Sequence, residues 1–317
     1  MRAGARLALY GAGLAVAFGG AFAAAGAVIP DRVVAGWTDR GEMNQHDAGK
    51  SANEAQTEES TPNGVSIEAG GFVLAPIAAP GAVGARGELS FQVQTLSGEA
   101  VTEFAEAHEK DLHLIVVRTD GAEFRHVHPQ LDEATGTWSL PWTWDSAGTY
   151  RVYADFTPAT EGAEGVTLTR TVEVAGTFAP VTSEVRRTAE VDGFDVTLDG
   201  DLTAGTTSDV TVSVARDGKP VTALEPYLGA SGHLVALRDG DLAYLHVHAQ
   251  GDAPRVGSTA GPEIGFMAEA PTAGRYLLYF DFQVDGTVHT AEFVVDAGRG
   301  EMHGASDETH SDDADGH

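Results

Sequence analysis

The sequence predicts an all-β protein, with two tandem immunoglobulin-like antiparallel β-sandwiches that follow an N-terminal transmembrane helix. Short runs rich in Val, Thr and aromatic residues alternate with polar positions, and Gly, Pro and Asp separate the runs, as in β-sandwiches. The order of these runs recurs in the second half of the chain, which indicates an internal repeat. One apolar run near the amino terminus is long enough to span a bilayer.

The apolar run covers residues 7–29 and contains no charged side chain. Arg2 and Arg6 precede it, which favours an amino terminus inside the cell and export of everything that follows. We therefore expect residues 1–34 to be a single-pass anchor in the cell membrane, with the bulk of the chain extracytoplasmic. The alternative is a cleaved signal peptide, for which residues 23–27 offer small side chains near a cut site.

Four further segments follow the anchor. Residues 35–64 are polar and lack an apolar period, so they are expected to be a disordered linker. The first β-sandwich module is predicted at residues 65–176 and the second at residues 177–298. Residues 299–317 are predicted to be a disordered tail rich in His and Asp.

Composition limits the chemistry of the chain. Lys and Arg number 19 against 47 Asp and Glu, which gives a formal net charge of -28. Such a surface repels nucleic acid and attracts cations. Because the chain has no Cys, thiolate ligands are excluded, and any metal must bind through His, Asp, Glu or Met.

The strongest functional signal is a His-x-His pair that the chain carries twice, 120 residues apart, with a third His 13 residues before each pair. One such pair is often only the polar face of an alternating strand, but a repeated triple array favours a metal site. The two predicted clusters are His113, His126 and His128 in the first copy, and His233, His246 and His248 in the second.

A hairpin would bring the three histidines of the first copy together. If Asp120-Gly121 forms a two-residue turn, His113 lies opposite His128, and Ile115 lies opposite His126. Residues two apart on a strand share a face, and directly opposed residues lie side by side, so all three imidazoles would project from one face.

The turn of the second copy, Asp239-Gly240, lies one residue earlier relative to its histidines. A two-residue turn there would pair His233 with His246 and leave His248 diagonal. Either register keeps the three imidazoles on one face of the hairpin, so the prediction of a cluster does not depend on the pairing.

Two acids and two further histidines complete the list of candidates. Asp155 and Asp281 occupy equivalent positions in aligned strands and are predicted as additional ligands, although a strand-end acid can instead cap a turn. His108 and His289 have no counterpart in the other copy and are interpreted as incidental surface residues.

These residues predict two metal ions per chain, Cu(II) or Zn(II), held by imidazoles and a carboxylate. The predicted function is extracytoplasmic, membrane-anchored metal binding for sequestration or delivery, with no catalytic residue. Its partners would be metal ions, the membrane through the N-terminal helix, and a metal-transport partner that the sequence does not identify. One alternative is a structural or adhesive cell-surface module without specific metal. A second is a zinc-dependent hydrolase, since three His with an open position also form catalytic zinc sites.

Residues 227–248 fit the pattern Tyr-Leu-Gly-Ala-x-Gly-His-Leu-Val-x-Leu-Arg-x-Gly-Asp-Leu-x-Tyr-Leu-His-Val-His throughout. In this pattern the chain resembles membrane-anchored secreted proteins of actinobacteria with two immunoglobulin-like modules. Its architecture also resembles bacterial extracytoplasmic copper-handling domains, such as the copper-resistance carriers and YtkA-like domains. The resemblance covers residues 65–298 and implies tandem sandwiches with a role in copper handling.

Overall fold

The computed structural model describes residues 64–300, apart from residues 246, 252, 253 and 256. The predicted N-terminal anchor, the predicted linker up to residue 63 and the tail after residue 300 lie outside the described residues. All described residues belong to one unit, Ser60–His317. Within this part of the chain, no helix is long and apolar enough to cross a membrane.

The first module consists of short antiparallel strands in two sheets. Its strands are β1 (Glu68–Ala69), β2 (Phe72–Leu74), β3 (Gly87–Thr95), β4 (Phe104–Ala105), β5 (Leu112–Arg118), β6 (Arg125–Val127), β7 (Gln130–Asp132), β8 (Thr137–Trp142), β9 (Gly148–Pro158) and β10 (Val166–Val174). One sheet has the order β1-β2-β3-β8-β7, and the other has the order β10-β9-β5-β6, with β4 paired to β9.

The second module repeats this arrangement. Its strands are β11 (Thr188–Val191), β12 (Phe194–Asp199), β13 (Thr207–Arg216), β14 (Lys219–Pro220), β15 (His233–Arg238), β16 (Tyr244–Leu245), β17 (Val247–Ala249), β18 (Glu263–Glu269), β19 (Gly274–Val284) and β20 (Thr287–Ala297). One sheet has the order β11-β12-β13-β18-β17, with β14 paired to β13, and the other has the order β16-β15-β19-β20.

Each module buries an apolar core between its two sheets. In the first module, Phe91 and Trp138 from one sheet pack with Leu114 and Val152 from the other. In the second module, Val212 and Phe266 occupy one side of the corresponding core, and many apolar residues of β19 and β20 occupy the other. The alternating pattern of apolar and polar residues therefore produces the β-sandwich architecture, and the all-β fold class is confirmed for the described residues.

A third apolar cluster joins the two modules. It contains Ile115, Val117, Tyr153, Val235, Leu237, Leu242, Leu277, Tyr279 and Val294. Most of these residues lie on the outer faces of the β5-β9 and β15-β19 sheet regions, while Leu242 lies in the loop after β15 and Val294 lies on β20. Each module therefore covers the other. Strand β5 is consequently buried at every position from Leu112 to Arg118. A strand covered on both faces is expected to be apolar throughout, and its sequence, Leu-His-Leu-Ile-Val-Val-Arg, departs from that only at His113 and Arg118.

Two polar contacts across this interface form a matched pair. The Tyr153 hydroxyl donates to the Leu242 carbonyl at 2.6 Å, and the Tyr279 hydroxyl donates to the Gly121 carbonyl at 2.6 Å. Tyr153 and Tyr279 are equivalent residues of the repeat. Each tyrosine therefore reaches the β-hairpin loop of the other module, and the two modules are related by an approximate two-fold axis.

Candidate metal centre

Strand β5 carries one of the predicted ligands toward the second module. Leu112, Leu114 and Val116 face the core of the first module, whereas Ile115 belongs to the cluster between the modules. Because side chains alternate along a strand, His113 points to the same side as Ile115. It is only 7% exposed.

Strand β6 brings the His-x-His pair beside His113. Ile115 pairs with His126, as predicted, so the register of this hairpin is confirmed. The ladder ends at the pair of Leu114 and Val127, and His128 follows directly after the strand. The three histidines of the first copy therefore meet on one side of a single hairpin.

The ligand nitrogens converge on a common point. His113 Nδ1 lies 3.0 Å from His126 Nε2 and 3.2 Å from His128 Nε2, and the three nitrogens lie within 4.8 Å of one another. A tetrahedral zinc ion with bonds of 2.0–2.1 Å separates its ligand nitrogens by about 3.3 Å. The two short separations agree with that value to within a few tenths of an ångström.

Two hydrogen bonds fix the tautomers of the imidazoles that meet at 3.0 Å. His113 Nε2 lies 3.0 Å from the Ala107 carbonyl oxygen, which can only accept, so this nitrogen carries the proton of the neutral ring. His126 Nδ1 lies 2.8 Å from Asp281 Oδ2 and likewise donates. The other ring nitrogens, His113 Nδ1 and His126 Nε2, therefore face each other across the centre of the cluster. Neutral His113 offers a lone pair there, which a metal cation bound between the two rings would engage.

Burial keeps two members of the cluster in the form that binds metal. Desolvation, reinforced by the neighbouring imidazoles, lowers the pKa of His113 to about 3 despite the opposing hydrogen bond to Ala107. The pKa of His128 is lowered to about 3 by desolvation and then by His126 and His113. At neutral pH both imidazoles are uncharged, and a neutral imidazole is the ligand that Zn(II) and Cu(II) require.

The cluster borders a cleft of about 630 Å³ that both modules line. His113, His126 and Asp155 contribute from the first module, and His233 and His248 contribute from the second. Three protein ligands leave at least one coordination position of a metal open, as in catalytic and exchange-competent sites.

The hairpin of the second copy corrects one detail of the sequence analysis. Ala236 pairs with Leu245, and Leu237 pairs with Tyr244, so the predicted two-residue turn that would set His233 opposite His246 is wrong. Four residues, 239–242, join the strands, because Leu242 adopts a positive φ of 52° and Arg238 N donates to the Ala243 carbonyl. With this four-residue loop, the second hairpin has the same register as the first.

The predicted ligands of the second copy are described only in part. His233 lies at the start of β15, and its Nε2 lies 2.8 Å from the Tyr227 carbonyl oxygen, which repeats the contact of His113 with Ala107. His248 lies on β17, where it pairs with Met267 of β18 in the sheet that does not contain β15. His246 lies outside the described residues, so the cluster of the second copy stays a prediction.

Of the two predicted acids, Asp155 lines the cleft and Asp281 is buried beside it. Asp281 Oδ1 accepts a hydrogen bond from Thr290 at 2.6 Å, while Oδ2 binds His126 of the other module. This carboxylate thus orients a ligand of the first copy and does not itself join the three-His cluster. Asp155 Oδ1 accepts from Thr167 at 2.7 Å in the equivalent arrangement.

The interpretation of His289 as a surface residue is wrong, whereas His108 is exposed, as predicted, and lines the cleft. The His108 ring centroid lies 5.4 Å from that of His233 and 6.0 Å from that of His113, inside the cleft region. His289 is buried, and its Nδ1 lies 2.7 Å from Asp192 Oδ2. Comparison of the two copies could not have found His108, because its counterpart is Leu228.

The fold and the cluster define a class of protein with two tandem β-sandwiches and a three-His site at their interface. A family model described as a domain of unknown function, DUF8832, matches residues 73–176 and again residues 189–299. The chain belongs to this family, and the two matches fall on the two modules. No match was found among curated proteins.

Several solved structures of bacterial surface proteins align with the chain at low similarity. Invasin, titled a bacterial integrin-binding protein, shares 13% identity over 71% of this chain and 38% of its own, with a TM-score of 0.21. The Escherichia coli adhesin FdeC shares 16% identity over 72% of this chain and 64% of its own, with a TM-score of 0.22. The chain thus spans less than two thirds of each, and TM-scores this low support no functional argument.

Proposed function

We propose that this protein binds Zn(II) or Cu(II) through His113, His126 and His128 and that it sequesters or delivers the ion outside the cytoplasm. The observation that carries the proposal is the orientation of two imidazoles. Because Ala107 and Asp281 bind the outer nitrogens of His113 and His126, the inner nitrogens of the two rings face each other at 3.0 Å, where one ion can contact both.

Three features support exchange of the ion over permanent structural binding. His113 and His128 are neutral imidazoles at neutral pH, the site opens to a cleft, and the net charge of -28 raises the local concentration of cations. Attachment to the membrane remains part of the proposal and is supported by the apolar run at residues 7–29. The resemblance to copper-handling domains favours copper, as does the higher affinity of imidazole sites for Cu(II).

The test is metal analysis of the full chain and of two matched variants. His126→Asn keeps a donor near the position of Nδ1 for Asp281 but removes the ligand nitrogen, and His113→Gln keeps a donor for the Ala107 carbonyl. We expect each variant to lose one tightly bound Zn(II) or Cu(II) ion relative to the wild type after dialysis. His289→Gln, which changes a buried histidine outside the cluster, should lose none. Unchanged occupancy in both cluster variants would refute the proposal.

The second candidate function is a structural or adhesive cell-surface module without specific metal. This alternative rests on the tandem β-sandwich architecture alone. It predicts that the cluster variants and the wild type take up equal amounts of metal, so the same experiment separates the two candidates.

A zinc-dependent hydrolase is the remaining alternative, because three His ligands with an open position also activate water. The carboxylate of Asp281, which contacts the cluster, is engaged by His126 Nδ1 and by Thr290. We therefore propose no catalytic role. Ester hydrolysis by the zinc-loaded protein that disappears in His126→Asn would establish this alternative instead.

A further inference from the structure

A strained turn carries His108 into the cleft. Ala107 and Lys110 bridge each other, and the two residues between them have positive φ values, 51° for His108 and 61° for Glu109. Two central residues with positive φ form a type I′ turn, which normally favours Asn and Gly. A non-glycine residue in this conformation is uncommon, and such strain concentrates at functional sites.

The equivalent turn of the second module has a different composition. It lies between Tyr227 and Ala230 and has Leu228 at φ 52° and Gly229 at φ 70°. Here one of the two positions with positive φ is a glycine, which adopts this conformation without strain. Neither position has a side chain that binds metal. The first module alone places an imidazole at this turn.

The ring of His108 lies beside that of His233 in a geometry that suits a shared ion. Their centroids are 5.4 Å apart, close to the 5.0–5.2 Å that separate the rings within the three-His cluster. His233 Nε2 donates to the Tyr227 carbonyl, so Nδ1 of the neutral ring is left with a lone pair. The His126 ring is 6.2 Å from the His233 ring, which makes the two groups of histidines neighbours.

We propose that His108 and His233 form a second ion-binding position, which connects the two modules and adjoins the three-His cluster. The ion would be Zn(II) or Cu(II), held by one imidazole from each module and by water. With two protein ligands, one of them on an exposed turn, this position binds more weakly and exchanges faster than the cluster. The inference rests on the proposed function. Ions would enter or leave the three-His cluster through this second position.

The test is a Cu(II) titration of the full chain followed by electron paramagnetic resonance. In every sample, Asn replaces His46, His303, His310 and His317, together with His246 and His248, the other predicted ligands of the second copy. We expect the first equivalent to give the spectrum of an isolated ion. The second equivalent should produce dipolar broadening and a half-field signal, because two Cu(II) ions in adjoining groups of imidazoles couple magnetically.

Two variants assign the second position. His108→Asn keeps a residue that tolerates a left-handed turn, and His233→Gln keeps a donor for the Tyr227 carbonyl. Each should retain the first ion but bind the second at least about tenfold more weakly, since even an outer-shell partner is worth that factor. The half-field signal should disappear in both.

The outcomes separate this inference from the proposed function. The second position alone would be refuted if His126→Asn loses the first ion but neither His108→Asn nor His233→Gln changes the affinity for the second ion. Retention of the first ion in His126→Asn would refute the proposed function. Loss of the coupled signal in His233→Gln supports the inference even if His108→Asn destabilises the turn, and a urea unfolding curve of each variant identifies that case.

Discussion

A hydrogen bond of 2.8 Å joins Nδ1 of His126 in the first module to Oδ2 of Asp281 in the second. Both side chains are almost completely buried, with 5% and 3% of their surfaces exposed. A carboxylate that holds the outer nitrogen of a metal-binding imidazole fixes its tautomer and raises its basicity. The proposed metal affinity of the first module therefore depends on contact with the second.

Replacement of Asp281 by Asn should weaken metal binding without removing a ligand. Loss of the carboxylate should reduce affinity about 10–100-fold, the usual effect of removing an outer-shell partner. A competition titration with a chromophoric chelator measures the change. Asp296→Asn is the control, because Asp296 is exposed and pairs only with Arg275 among the contacts described. Equal affinity of the two variants would contradict the role given to Asp281.

Docking of the modules and metal binding should be coupled through Leu277. This residue belongs to the cluster between the modules, whereas its neighbour Leu278 faces the core of the second module. Either change to Ala should lower the free energy of unfolding by about 2–5 kcal/mol, measured in urea. Only Leu277→Ala should also weaken metal binding, because it loosens the contact between His126 and Asp281. Equal metal affinities of the two variants would argue against coupling.

Gly121 provides a second test of the interface. Its φ is +82°, and a Cβ atom there would lie 2.5 Å from Leu277 Cδ1. Gly98 has a similar φ of +85°, but a Cβ atom would meet nothing within 4 Å. Gly98→Ala should cost about 1–2 kcal/mol through backbone strain alone. Gly121→Ala should cost a further 1–3 kcal/mol or so from overpacking. Thermal unfolding that shows equal losses would mean that the Gly121 loop does not pack against Leu277.

The metal-free protein should lose stability as the pH falls below about 6.5. Burial lowers the pKa of His113 and His128 to about 3 and that of His233 to about 4, from 6.5. Between these values the unfolded chain binds protons that the folded chain does not, so the free energy of unfolding decreases toward acid. The slope approaches about 1.4 kcal/mol per pH unit for each group.

Urea midpoints at pH 7.0, 6.0 and 5.0 measure this dependence. His113→Gln should have a shallower slope, because one of the three groups is gone. Saturating Zn(II) should raise the midpoint of the wild type at each of these pH values, because the ion binds the folded chain. A metal-free protein whose stability is unchanged over this range would contradict the depressed pKa values.

The local part of the site could be predicted from sequence because it depends on strand periodicity. His126 and His128 share a face, and the pairing of Ile115 with His126 follows from the position of the loop. The second copy shows where this reasoning fails. Leu242, with a positive φ, lengthens the loop beyond the predicted two residues, so the register differs from the predicted one, and side-chain identity gave no indication of it.

The long-range part of the site could not be predicted in this way. Asp281 and His126 are 155 positions apart in different modules, and a repeat reveals what the copies share but not how they pack. One indication was present in the apolar run of β5, whose outer face must be covered by another surface. What covers it is decided by the complementary faces of β15 and β19, which no spacing rule identifies.

The matched hydrogen bonds of Tyr153 and Tyr279 give the interface the self-complementary form of a two-fold dimer. A site shared between two separate subunits would come apart on dilution, and its affinity for metal would fall with protein concentration. Here both halves belong to one polypeptide, so each meets the other at an effective concentration that dilution cannot change. Covalent linkage thus allows a site built from two halves to work at the lowest copy numbers.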